Sequence, residues 1–251
     1  MSNEFGFGGN ESLDVMDTYA DIVYCIDLTS SMTPIINKVK ETARQLHSDL
    51  QEIMLKNYQR DIKRLRIKVI GFRDAYCDGP LAFQVSKFFN LPTETEQFYS
   101  FVNSLTAKGG GDIPENSLEA LALAMKSDWC QTLDPNIRRR HIILLFTDAP
   151  AHKLEKSKDG IDEFYPQGMP KDYYDLVNLW GQQKSLDGKI QITTDNVAKR
   201  LGVFVPKGVY PWDYVADNDF DNCQISYINP NQGGSDISTT RILKMLSETL
   251  A

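Results

Sequence analysis

Two short runs of consecutive apolar residues dominate the hydrophobic pattern of this chain. Residues 21–26 include Ile22, Val23, Tyr24, Cys25 and Ile26 in succession, and residues 141–146 place five apolar residues directly after His141. Unbroken apolarity over so short a span predicts strands buried on both faces, as in a parallel sheet covered by helices. Asp27 stands where the first run stops, and Thr147-Asp148 where the second stops. Over residues 32–54 the apolar positions Ile36, Val39, Ala43, Leu46, Leu50 and Ile53 recur at helical spacing, which predicts one long crossover helix. Residues 66–72 and 81–89 read as strands joined through Cys77-Asp78-Gly79-Pro80, a link short enough to imply an antiparallel pair at a sheet edge. Helical faces return over residues 95–105 and 115–129, strands over 201–205 and 224–228, and a closing helix over 237–250. Residues 159–189 fit the rhythm less well. Tyr173, Leu176, Val177 and Trp180 share a helical face after Pro170, and the segment is expected as an insertion beside the core.

This alternation predicts an α/β fold: a doubly wound, mostly parallel six-stranded sheet with one antiparallel edge strand and helices on both faces. The glycine-rich, acidic residues 1–17 have little to bury and are expected as a flexible arm, with residues 18–251 forming one domain. Open sheets of this kind bind ligands beyond the carboxyl ends of their strands, where the strand order reverses. That rule selects Asp27 and Asp148.

Composition narrows the chemistry. The 251 residues are 41% hydrophobic, enough for one sizeable core, and carry a net charge of −7. The longest basic cluster is Arg138, Arg139 and Arg140, which lacks the electrostatic footprint of a nucleic-acid binder. The opening residues have no basic region followed by an apolar run, and no stretch approaches the roughly 20 apolar residues of a membrane span. The expectation is a cytoplasmic protein. Cys25, Cys77, Cys130 and Cys223 form no CxxC pair, so zinc and thiol exchange are not indicated, and Cys25 is expected as a buried packing thiol.

Three loops at the selected edge carry oxygen donors: Asp27-Leu28-Thr29-Ser30-Ser31, Gly109-Gly110-Gly111-Asp112-Ile113-Pro114-Glu115, and Thr147-Asp148. In the first, the i, i+2, i+4 spacing lets a carboxylate and two hydroxyls face one point as the chain enters a helix. Hard oxygen donors of this kind suit Mg²⁺, Mn²⁺ or Ca²⁺ and not Zn²⁺. Mg²⁺ wants about six oxygens and usually keeps some waters, so an incomplete protein shell leaves a position for a partner's carboxylate. The competing reading is structural: Thr29 and Ser31 cap the following helix, and Asp112 or Glu115 favours the next helix N-terminus. A second competing reading is a Mg²⁺-dependent phosphohydrolase with Asp27 as nucleophile or metal ligand, although no lysine or general acid is placed to serve it. His152 follows Asp148 closely enough to be considered as a ligand or acid-base group. The aromatic run Tyr210-Pro211-Trp212-Asp213-Tyr214 offers either partner contacts or internal packing.

Asp27-x-Thr29-x-Ser31, the later Asp148 and the intervening glycine loop together resemble the metal-ion-dependent adhesion site of von Willebrand factor type A domains. Asp112-Ile113-Pro114-Glu115 is similar to the corresponding loop of the vWA-like domain of integrin β subunits. The resemblance implies a Rossmann-like fold, a divalent cation (Mg²⁺ first) held by Asp27, Thr29, Ser31, Glu115 and Asp148, and Asp112 serving a neighbouring cation. Asp112, and after it Thr106, are the alternatives to Glu115 for the middle-loop ligand. Thr33, Pro34 and Ile35 stand where integrin β subunits have acidic residues, so the adjacent regulatory metal is not expected. What the resemblance implies of function is a non-enzymatic protein-binding module that takes an Asp or Glu carboxylate from a partner. Bacterial vWA proteins with a similar GGGDxPE loop extend that implication to stress or phosphosignalling systems containing kinases and phosphatases.

Overall fold

The computed structural model describes residues 17–110, 113–132, 134–154, 163–181 and 197–251. Its centre is β1 (Asp17–Asp27), in which even-numbered and odd-numbered side chains face opposite layers. Ile22, Tyr24 and Ile26 look toward α1 (Thr33–Thr42), α2 (Leu46–Tyr58), α4 (Thr95–Ser104) and α8 (Thr239–Leu250). Val23 and Cys25 look toward α5 (Ser117–Met125), α6 (Tyr173–Gly181) and the short α7 (Trp212–Tyr214), and a further single turn is α3 (Ala75–Asp78). Both layers are fully apolar at the strand, which is why residues 22–26 lack any hydrophobic alternation. Cys25 is buried as expected, its thiol against the Ala120 carbonyl at 3.6 Å, and burial pushes that thiol well above the usual range.

β1 pairs in parallel with β2 (Ile62–Phe72) on one side and β5 (Ile137–Phe146) on the other. Beyond β5 lie β6 (Lys199–Pro206) and β7 (Cys223–Ile228), both parallel. β3 (Phe83–Val85) and β4 (Phe89–Leu91) both pair antiparallel with β2. The sheet therefore has seven strands in six positions, because the expected strand over 81–89 is one edge position broken in two. Ser86 causes the break: its hydroxyl oxygen accepts from the Val69 N–H at 2.8 Å, a side chain intruding on the ladder, and the hydroxyl donates to the Lys87 carbonyl at 2.7 Å.

Two other expectations shift. The long helix over 32–54 is instead a 3₁₀ turn (Ser30–Met32) followed by α1 and α2, with a bend at residues 43–45. The Thr42 hydroxyl donates back to the Lys38 carbonyl at 2.9 Å, competing with the backbone where the helix bends. β2 and β5 also begin four residues earlier than their apolar runs suggest, as the parallel ladder with β1 continues into a polar zone. There Arg66 grips Asp21 through two bonds, and long basic stems keep apolar contact while their heads find partners.

Residues 1–16 of the expected arm lie outside the described residues, and Asp17 opens β1. In the expected insertion, the described residues 163–181 pack on α5, whose residues 117–122 are all buried. Among the described residues, no helix is long and apolar enough to cross a membrane.

Candidate functional site

The strand order reverses between β1 and β5, and their carboxyl ends bring the first and third loops together. Ile26 is in register with Phe146, so Asp27 and Thr147 are neighbours one step further on. The Thr147 hydroxyl donates to Asp27 Oδ2 at 2.8 Å, and the Thr29 N–H donates to Asp27 Oδ1 at 2.9 Å. The second bond turns the chain sharply after β1 and brings Thr29 and Ser31 side by side, their hydroxyl oxygens 3.2 Å apart. The Ser31 hydroxyl also bonds the Asp148 carboxylate. Thr29 is the N-cap of the 3₁₀ turn yet makes no side-chain capping bond, so the capping reading does not explain its hydroxyl.

The middle loop is tied to both others. The Ser30 hydroxyl donates to the Gly109 carbonyl at 3.1 Å, and the Lys108 N–H to the Leu28 carbonyl at 2.9 Å. Gly109 and Gly110 have φ of 89° and 85°, and a Cβ on Gly110 would stand 3.2 Å from Thr29 Cβ. Glycine here lets the loop lie against Thr29 in a left-handed backbone. Further on, the Glu115 N–H donates to the Pro150 carbonyl at 3.0 Å and the His152 N–H to the Glu115 carbonyl at 2.9 Å, a single parallel bridge beside the Asp148 loop. Glu115 is thereby fixed with 2% exposure.

The three loops enclose a cavity of about 350 Å³ lined by Thr29, Ser31, Gly109, Gly110, Glu115 and Asp148, with Pro230 and Asn231 closing one side. Asp27 lies fully buried behind the first loop. Burial pushes its carboxyl up to about 6 against the lowering effect of the Thr29 and Thr147 bonds, and the Asp148 charge adds to the rise. Burial raises Asp148 as well, opposed by the Ser31 hydroxyl. Positive charge at the cavity would favour the ionised form of both carboxyls. Among the described residues, no three His, Cys, Asp or Glu side chains converge on a metal-sized point. A cation here would depend on the Thr29 and Ser31 hydroxyls and on water as well, which the hard-oxygen donor set permits.

The structure thus brings Asp27, Thr29, Ser31, Glu115 and Asp148 to one end of the sheet. Asp112 lies outside the described residues. Thr106 is exposed, is not among the residues lining the cavity, and contributes its backbone carbonyl to Arg73 at 2.7 Å. His152 turns its ring toward Asp74, with Nε2 3.1 Å from Oδ1. In the aromatic run, Trp212 is fully buried and its indole N–H donates to the Ala149 carbonyl at 2.9 Å, so it buttresses the Asp148 loop, while Tyr214 is 53% exposed. Reading the sequence missed Arg73, Asp74 and Asn231. The first two follow directly on β2, and the rule that selected Asp27 and Asp148 from their strand ends applied equally to them.

A doubly wound sheet with an oxygen-lined cavity at its switch point defines a class of α/β domains, and comparison with known proteins adds to that description. Residues 87–164 match the family described as von Willebrand factor A domain. Over 150 residues, 60% of this chain, the sequence is 29% identical to alpha-protein kinase vwkA of Dictyostelium discoideum, covering 21% of that protein. A putative ariadne-like RING finger protein of Acanthamoeba polyphaga mimivirus is also 29% identical over 150 residues, 58% of this chain and 13% of that protein. The chain therefore spans a small part of the length of either relative. The pilus adhesin SpaC of Lactobacillus rhamnosus GG, in two crystal structures, aligns with TM-scores of 0.50 and 0.51 at 11% identity, over 93% of this chain and 30% of the adhesin. That likeness is one of fold. Residues 87–164 thus resemble a von Willebrand factor A domain, and the sheet topology agrees with that resemblance.

Proposed function

We propose that this protein is a metal-dependent protein-binding module whose cavity at the carboxyl ends of β1 and β5 holds a divalent cation, Mg²⁺ first, and receives an Asp or Glu carboxylate of a partner. The observation that carries the reading is the convergence of Thr29, Ser31, Glu115 and Asp148 on one cavity with Asp27 buried behind them. The bound cation would supply an open coordination position and the charge that attracts the partner's carboxylate. The protein's part is to orient donors: Asp27 fixes the first loop through Thr29, Ser31 joins that loop to Asp148, and the glycine loop brings in Glu115.

A binding role is favoured over phosphate hydrolysis by Asp27 itself. Both of its oxygens are engaged, by the Thr29 N–H and the Thr147 hydroxyl, and it is fully buried, so it is poorly placed as a nucleophile. His152, engaged with Asp74, is not offered as a general acid. The kinase among the relatives supports a setting in phosphosignalling inside the cell, with the partner drawn from a kinase or phosphatase system. The test is capture on immobilised protein in Mg²⁺ followed by elution with EDTA. A partner retained by wild type, released by EDTA and absent from Asp148→Ala is the expected result; retention that ignores both EDTA and the substitution would refute the reading.

A further inference from the structure

Arg73 and Asp74 follow directly on β2, outside the cavity lining, and both are buried, at 3% and 0% exposure. The four side-chain bonds of Arg73 all end on backbone carbonyl oxygens. Nε donates to Leu28 at 3.3 Å and Lys108 at 2.8 Å, Nη1 to Leu81 at 2.7 Å, and Nη2 to Thr106 at 2.7 Å. Leu28 directly precedes Thr29, and Thr106 and Lys108 lead into Gly109. One rigid guanidinium thus spans the first loop, the approach to the glycine loop and the sheet edge, a reach that lysine's single ammonium cannot reproduce.

Asp74 serves the opposite half. Its Oδ1 accepts from the Tyr76 N–H at 2.9 Å and meets His152 Nε2 at 3.1 Å, and the His152 N–H in turn holds the Glu115 carbonyl. The next residue's N–H, that of Ala75, donates to Asn116 Oδ1 at 2.6 Å, beside Glu115. Two adjacent residues therefore reach all three loops, Arg73 the Thr29 side and Asp74 the Glu115 and Asp148 side.

We infer that Arg73 and Asp74 are the positioning residues of the cation site, holding its donor loops at a fixed separation before any ligand arrives. This rests on the metal-binding reading above. The physical reason is preorganisation: groups that orient metal ligands without touching the metal commonly change its affinity 10- to 100-fold.

The experiment is Mn²⁺ titration of the full chain, with free Mn²⁺ read by electron paramagnetic resonance and folding checked by circular dichroism in EDTA. Arg73→Gln is expected to weaken Mn²⁺ at least tenfold, and Arg73→Lys less, because the charge is retained and part of the bonding is restored. Asp74→Asn is expected to weaken Mn²⁺ several-fold, and Arg44→Gln, which breaks an exposed pair with Glu96 elsewhere, to leave it within twofold. Folded Arg73 and Asp74 variants that lose thermal stability yet keep the wild-type Mn²⁺ affinity would overturn the inference and leave the metal site standing. Should Arg73→Gln fail to fold, Arg73→Lys and Asp74→Asn decide by the same criterion. A wild type that binds no Mn²⁺ would overturn this inference and the proposed function together.

Discussion

Asp27 shows how a single residue can be unfavourable for the fold and useful for the site. Burial raises its carboxyl to about 6, above the roughly 3.9 of an exposed aspartate, so the folded state holds the proton more tightly than the unfolded chain. Its contribution to stability is then fully present below about pH 4 and is lost as the pH rises through about 6. Metal binding needs the ionised form, so affinity should rise over the same window. Asp27→Asn, which keeps an acceptor for the Thr29 N–H, should unfold at a higher temperature than wild type in EDTA at pH 7.5. That advantage should shrink toward pH 4, and the variant should no longer respond to Mg²⁺. Thermal scans across pH with and without EDTA measure all three effects. A variant less stable than wild type in EDTA at pH 7.5 would show that the two hydrogen bonds of Asp27 outweigh its burial.

At the scale of elements, α5 and α6 form one packing unit. Residues 117–122 are buried on every side because β1 and β2 lie beneath α5 and the described part of the 159–189 segment lies above it. Leu176 and Trp180 of α6 are at 0% and 2% exposure, the Lys126 ammonium reaches the Gly168 carbonyl, and the Tyr165 hydroxyl donates to Glu119 Oε1 at 2.8 Å. Leu176→Ala should therefore cost about 2–5 kcal/mol in urea unfolding, the range for a buried leucine that leaves a cavity. Since none of residues 163–181 lines the cavity, Mg²⁺ affinity measured in the absence of urea should stay within twofold of wild type. A loss below 1 kcal/mol would mean that α6 lies only loosely on α5. The helix face of Tyr173, Leu176, Val177 and Trp180 was legible from spacing alone, but that it covers α5 and not the cavity was not, because spacing states which face is apolar and not what it meets.

For the whole molecule, the first and third donor loops are separated by about 120 residues of sequence and converge only because β1 and β5 are adjacent. A cation bridging them would bind the native state alone, and at a hundred times its dissociation constant would add about 2.7 kcal/mol. For a domain of this size that corresponds to a rise of about 5–10 °C in Tm. Calorimetry in EDTA and in saturating Mg²⁺ should show such a rise in wild type and none in Asp148→Ala. Identical curves for wild type in the two buffers would remove the tight cation site.

The sequence by itself determined the fold class, the carboxyl ends of β1, β2 and β5, and the first and third loops. Short unbroken runs rich in β-branched and aromatic residues favour strands buried on both faces, and the polar residue that stops such a run then falls at the end of the strand. It determined less where local chemistry competes with periodicity, as at Thr42 and Ser86, whose hydroxyls bond the backbone and divide a helix and an edge strand. Only the tertiary structure decided the supporting frame: Arg73 across four carbonyls, Asp74 on His152, and Trp212 behind Asp148. Those partners are distant along the chain, and a buried side chain's hydrogen bonds follow from which loops the sheet order makes neighbours, something no local pattern records.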